Sequence, residues 1–151
     1  MTTRYFEDIE PNERHDLGTW SVSEDEIVSF ARQYDPQPFH LDEAAARETI
    51  YGGLIASGWQ TVALTMRTMV DGFLADVAGM GARGIDSLTW SAPVRPGDTI
   101  ETRLTVLETQ AAKPDGAIGD VRAETIGTNQ DGEVVISWIN QFLVQRRDAE
   151  L

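Results

Sequence analysis

The order of periodicities along the chain predicts an α+β domain in which a curved antiparallel sheet wraps one long apolar helix. Helical spacing dominates residues 23–79, strand-like alternation takes over after residue 84, and no linker, repeat or low-complexity tract separates the two. The 151 residues, 41% hydrophobic and 25% charged, have an ordinary globular composition, so residues 1–151 are read as a single domain. A chain of this length buries roughly two-thirds of its unfolded surface and needs no metal or disulfide to hold together.

Each element carries its own signal. Ser23 and Glu26 have capping-box spacing, Val22 and Ile27 flank them as a hydrophobic staple, and Ile27, Phe30, Ala31 and Tyr34 form one helical stripe. Pro36 and Pro38 disfavour helical angles at the residues before them, so this helix stops near Tyr34. Asp42 caps a short Ala-rich helix over residues 43–49. A longer helix begins after Ser57, which again stands three residues before a Gln, and ends near Gly79. Its stripe is Val62, Met66, Met69, Val70 and Phe73, widened by Leu54, Trp59, Ala63, Leu64 and Leu74, which predicts a helix buried on most sides. Strands follow at residues 87–92, 99–108, 120–128 and 133–144, with turns at 94–98 and 129–132. In the second of these, Ile100, Thr102, Leu104 and Val106 share one face. Residues 6–9 and 14–20 are expected to add edge strands.

Composition removes several classes of function. Cysteine is absent, which excludes thiol catalysis, disulfides and Cys-based zinc sites. With 12 basic and 25 acidic residues the net charge is −13, which argues against nucleic-acid binding. The N-terminus shows no basic stretch before an apolar core, and the apolar run 54–77 is broken by Gln60, Arg67, Asp71 and Asp76, so neither a signal peptide nor a membrane span is expected. The expectation is a cytoplasmic protein. Acidity is concentrated early: residues 1–50 carry a net −8, residues 51–110 a net −2 and residues 111–151 a net −3. The polar end of an anionic ligand should therefore lie away from the first third of the chain.

The densest chemistry lies in Tyr34-Asp35-Pro36-Gln37-Pro38-Phe39-His40-Leu41-Asp42, which sets a carboxylate and an imidazole five positions apart just after a helix end. A second segment, Tyr51-Gly52-Gly53-Leu54-Ile55-Ala56-Ser57-Gly58-Trp59, delivers a glycine N–H to the start of the long helix. The first N–H groups of a helix lack internal partners and favour negative charge. Together the two segments offer a base, a second proton-handling group and an oxyanion site. The two prolines favour an extended path that would hold positions 35 and 40 roughly 15 Å apart. A shared site therefore requires a bend between Pro36 and His40. Asp42 is assigned to capping, His15 to the surface, and Met66, Met69, Trp59 and Trp90 to core packing. A metal site built from Asp35, His40 and Asp42 is disfavoured, because capping already explains Asp42.

These segments, with the later Pro93-Val94-Arg95-Pro96-Gly97-Asp98-Thr99, resemble the MaoC-like acyl dehydratases, the hot-dog-fold group that includes the (R)-specific enoyl-CoA hydratases. The likeness covers most of the chain. It implies a single hot-dog domain that reversibly hydrates a 2-enoyl thioester, with Asp35 and His40 as the catalytic pair and Gly58 N–H polarising the thioester carbonyl. It also implies a homodimer or dimer of dimers with the pocket between subunits, no metal, and no cofactor apart from the coenzyme A or acyl-carrier part of the substrate. Gln37 stands where an Asn is usual, and Ser57 where a His is usual. With Phe39 these two are taken as substrate contacts that bear on which acyl group is accepted. Phosphates of the carrier need arginine, and among Arg83, Arg95, Arg103, Arg122, Arg146 and Arg147 the residue beside the Pro-Gly turn, Arg95, is the first candidate. Two other readings stand beside this one: a thioesterase on the same fold, disfavoured because the first acid of the long helix is Asp71, and a non-catalytic acyl-thioester-binding module.

Overall fold

The computed structural model describes residues 2–111 and 116–150. Arg14–Ser21 forms strand β1, followed by helices α1 (Glu24–Tyr34), α2 (Pro38–Leu41), α3 (Glu43–Arg47) and α4 (Gly58–Gly72). Strands β2 (Gly79–Trp90), β3 (Thr99–Ala111), β4 (Ile118–Thr128) and β5 (Val134–Gln145) complete the chain. The five strands make one antiparallel sheet in the order β1-β3-β4-β5-β2, and α4 packs across its buried face. This is the α+β arrangement that the change of periodicity predicts.

The local reasons are those in the sequence. Ser23 accepts from Glu26 N–H while the Glu26 carboxylate accepts from Ser23 N–H, so the capping box of α1 is closed from both sides. Asp42 accepts from Ala44 N–H at the start of α3. In β3 the residues Ile100, Thr102, Leu104 and Val106 are all buried, matching their alternation. Gly97 and Gly132 both adopt positive φ, and each closes a turn that leads into a strand. The core gathers around Ile27, Leu54, Met69, Ile136 and Trp138, and burying a side chain of that size contributes about 1.5–3 kcal/mol.

Four expectations need correction. The long helix ends at Gly72, not near Gly79: a Cβ there would sit 2.9 Å from the Leu17 backbone, and Phe73 turns its ring into the core. A single 3-10 turn (Leu74–Asp76) follows, and the chain is already in β2 at Gly79, eight residues before the expected strand. Residues Phe6–Asp8 form another 3-10 turn, whereas Arg14–Ser21 is the edge strand expected there.

The fourth concerns the face that α4 buries. Gln60, Thr61, Thr65, Thr68 and Met69 are the buried residues of the helix, while Trp59, Met66 and Val70 stay 59%, 39% and 37% exposed. Threonine can do this because its hydroxyl is satisfied within the helix and its methyl packs outward. Thr65 donates to Thr61 O at 2.7 Å and Thr68 to Thr65 O at 2.6 Å. Trp20 Nε1 donates to Thr65, and Thr102 to Thr68, which joins the seam to β1 and β3. The apolar side of α4 is thus left outward, beside an edge strand β2 whose residues, apart from Leu88, are all exposed. Trp90 on that strand is also exposed, so Met69 is the one of the four assigned core residues that lies in the core.

Candidate active site

The bend between Pro36 and His40 is a single helical turn. Asp35 ends α1 with its N–H on Ala31 O, and the chain then re-enters helix at Pro38, where a proline costs no hydrogen bond. Winding residues 38–41 cuts the rise from about 3.1 Å to about 1.5 Å per residue and turns the His40 ring back toward Asp35. The result is His40 Nε2 at 3.2 Å from Asp35 Oδ2.

The other ring nitrogen fixes the tautomer. His40 Nδ1 lies 2.7 Å from Ile55 O, a carbonyl that only accepts, so Nδ1 carries a proton. That leaves Nε2 as the ring atom that faces the Asp35 carboxylate. The ring is buried against the edge of Phe39, whose carbonyl accepts from Ile55 N–H at 3.1 Å.

Asp35 is held by more than histidine. Ser57 Oγ donates to Oδ2 at 2.7 Å, and Gln37 Nε2 donates to Oδ1 at 2.6 Å. Partial burial pushes the carboxyl upward, but the hydrogen bonds from Ser57 and Gln37, with the charge and hydrogen bond of His40, outweigh it, and the net direction is below the ordinary value.

Ser57 also caps α4, accepting from Trp59 N–H at 3.3 Å, without the reciprocal Gln60 bond its spacing predicts. Gln60 reaches back to Glu26 O instead. Ser57 therefore ties the carboxylate to the helix start that presents Gly58. The Gly58 N–H has no hydrogen-bond partner among the described residues. A side chain at Gly58 is excluded by Trp90: a Cβ would meet the indole at 2.6 Å, and Trp90 Nε1 donates to Gly58 O at 2.9 Å. Trp59 stands edge-on to Trp90 with ring centres 5.3 Å apart.

Asp35, His40 and Gly58 line one open pocket of about 430 Å³, whose other walls include Gln37, Phe39, Tyr51, Trp59 and Trp90. The structure therefore brings the three predicted chemical groups, with Gln37 and Phe39, to one cavity. Two expected substrate contacts have a different primary partner, since Gln37 and Ser57 both bond the Asp35 carboxylate. Arg95 lies outside the pocket wall. Its guanidinium donates to Tyr51 O at 2.5 Å and sits beside Glu43, bracing the turn that leads to α4. Glu43 in turn accepts from Leu54 N–H, and this bond, with neighbouring Arg47 and Arg95, outweighs the opposing effect of desolvation and leaves its carboxyl below the usual value. The other arginines considered are paired: Arg83 with Asp120, Arg103 with Glu101, Arg122 with Asp86, Arg146 with Glu7 and Arg147 with Asp8. Sequence reasoning missed Trp90, which sits on β2 far in sequence from both motifs; its only signal was an aromatic three residues before the Pro-Val-Arg-Pro-Gly-Asp turn.

Comparison with known proteins agrees with this architecture. Residues 9–128 match the family model described as a MaoC like domain. A crystal structure of a MaoC-like dehydratase from Rhodospirillum rubrum superposes with a TM-score of 0.88 at 39% identity, covering 97% of this chain and 99% of that one. An (R)-specific enoyl-CoA hydratase from the same organism is 33% identical over 113 residues, 70% of this chain and 72% of the relative. An uncharacterized protein, YdeM, of Bacillus subtilis is 38% identical over 90 residues, 59% of this chain, and the match spans 63% of its length.

Proposed function

The chain belongs to the MaoC-like dehydratase family, and on that premise we propose that it reversibly hydrates a 2-enoyl thioester to the 3-hydroxyacyl thioester. The observation that carries the reading is the Asp35–His40 pair, 3.2 Å apart, on the wall of the same pocket as Gly58, whose N–H is unpartnered among the described residues. Hydration needs oxygen delivered to C3, a proton to C2, and stabilisation of enolate-like charge on the thioester oxygen. Asp35 takes a proton from water as its oxygen bonds to C3, and His40 supplies the proton that C2 gains. Both groups stand on one side of the pocket, so both fragments arrive on the same face of the double bond. The Gly58 N–H at the helix start holds the carbonyl oxygen, a contribution of roughly 3–4 kcal/mol by analogy with other oxyanion donors. Coenzyme A or an acyl carrier enters as part of the substrate, and the chemistry calls for no resident cofactor.

The proposed assembly is a homodimer. The open edge of β2 presents unpaired backbone donors and acceptors, which another strand satisfies. Trp59, Met66, Met80, Ile85 and Trp90 surround that edge as exposed apolar side chains. A thioesterase is the less favoured reading: the face that α4 buries offers Gln60, Thr61 and Thr65, and its first acid, Asp71, is exposed and paired with Arg67.

The test is a hydration panel from crotonyl to dodecenoyl thioesters, followed by loss of the conjugated double bond, with Asp35→Asn as control. The expected result is turnover of part of the panel and a loss of at least about 100-fold in Asp35→Asn. Free-thiol release without loss of the double bond would replace hydration by thioester hydrolysis.

A further inference from the structure

The donors around Asp35 are distributed unevenly. Oδ2 takes Ser57 Oγ at 2.7 Å and faces His40 Nε2 at 3.2 Å, whereas among the described residues Oδ1 takes only the Gln37 amide, at 2.6 Å. An ionised carboxylate offers about four acceptor sites. The site left open is therefore on Oδ1, next to the Gln37 amide.

Gln37 is built for that contact. Its N–H donates to Asp35 O at 2.8 Å and its carbonyl accepts from His40 N–H at 3.0 Å, so its backbone is fixed between the two reacting residues. It stands at the N-cap of α2 but makes no side-chain capping bond, which leaves its amide to the carboxylate. The residue is exposed and lines the pocket, so substrate and water approach past it.

We infer that Gln37 is a positioning residue: it fixes the rotation of the Asp35 carboxylate and makes Oδ1, with its open acceptor site, the atom that takes the water proton. The inference rests on the hydratase reading above. In the addition step the water oxygen bonds to C3, one water proton passes to Oδ1, and C2 gains the proton of His40 Nε2. The proton on Asp35 then returns to the neighbouring imidazole, so the pair is restored without a co-reactant. An amide donor on Oδ1 favours the ionised carboxyl, the direction in which Asp35 is displaced. Among the described residues the titratable groups that share the pocket with Asp35 are His40 from α2 and Tyr51 from the turn before α4; no other charged side chain lines it.

The experiment uses Gln37→Met, which keeps the length and removes the donor, and Gln37→Glu, which sets a second carboxyl against the first. Three quantities are read: kcat and KM for a thioester the wild type hydrates, the pH profile of kcat/KM, and the Asp35 carboxyl titration by carbon-13 NMR. With the donor gone, the acid limb and the carboxyl titration are expected to rise by roughly one pH unit in Gln37→Met and further in Gln37→Glu. Loss of carboxylate positioning is expected to lower kcat about tenfold while KM changes less than about twofold. A raised KM with an unmoved acid limb would make Gln37 a substrate contact and overturn the inference, as would a carboxyl titration identical in all three proteins. If the wild type hydrates no member of the panel, the hydratase reading falls by itself, and the carboxyl titration still decides whether Gln37 holds Asp35.

Discussion

Replacing Ser57 by Ala separates two tasks that one buried hydroxyl performs. The hydroxyl accepts from Trp59 N–H as the cap of α4 and donates to Asp35 Oδ2 at 2.7 Å. Loss of a serine cap costs about 1 kcal/mol, and loss of a hydrogen bond to a charged group about 1.5–3 kcal/mol. The Asp35 side chain keeps 17% of its exposure and two other partners, so the lower end of that range applies. The total is about 2–3 kcal/mol, a fall of roughly 4–12 °C in Tm for a chain of this size. The assay is a double-mutant cycle of Ser57→Ala and Asp35→Asn by denaturant unfolding at neutral pH. The capping part is expected in both backgrounds, and the carboxylate part only with Asp35 present, which leaves a coupling of about 1–2 kcal/mol. Additivity within about 0.5 kcal/mol would show that the Ser57–Asp35 bond contributes nothing to the native state.

Gly58→Ala drives a methyl into the Trp90 indole and is expected to destabilise by about 1–3 kcal/mol, with much of the loss recovered by a second Trp90→Ala change; thermal unfolding of the three variants checks this. Ile85→Lys on the open edge of β2 is expected to convert the proposed dimer to monomer in analytical ultracentrifugation, and an unchanged sedimentation coefficient would remove β2 from the interface. Stability is also expected to fall in acid. The carboxyls of Glu7, Asp8, Glu13, Asp35 and Glu43 are all displaced downward in the folded chain, so the unfolded chain binds protons first as pH drops. Their contribution is complete above the ordinary carboxylate range and lost as pH falls through the depressed values. A midpoint of urea unfolding that stays constant from pH 7 to pH 3 would contradict this.

The elements most legible in the sequence were those set by local rules. The capping box at Ser23 and Glu26, the cap at Asp42 and the alternation of Ile100 to Val106 depend on neighbours a few positions away, and the structure follows them. The convergence of Asp35, His40 and Gly58 on one pocket was legible because they sit in two short segments with marked proline and glycine punctuation. What could not be read was decided by contacts distant in sequence. The orientation of α4 is not legible from periodicity, because hydrophobicity ranks Met66 and Val70 above Thr65 and Thr68. A threonine whose hydroxyl returns to the helix presents a small apolar face, and Thr102 and Trp20 on the sheet complete the match. That Gln37 and Ser57, expected as substrate contacts, both bond the Asp35 carboxylate is not legible either, because sequence proximity to a pocket does not show which way a side chain turns. The charge of Arg95 is plain in the sequence, but its bond to the Tyr51 carbonyl, 44 positions away, is not.

Trp90 closes the outermost strand of the sheet and at the same time rests on the amide that starts α4. The margin of the molecule and the candidate active site are thus one mechanical part, separated by a single indole ring. Anything that docks along that margin presses on the Asp35–His40 pocket, and anything that leaves it releases the ring. Turnover per molecule should therefore vary with protein concentration, declining on dilution before the chain itself unfolds.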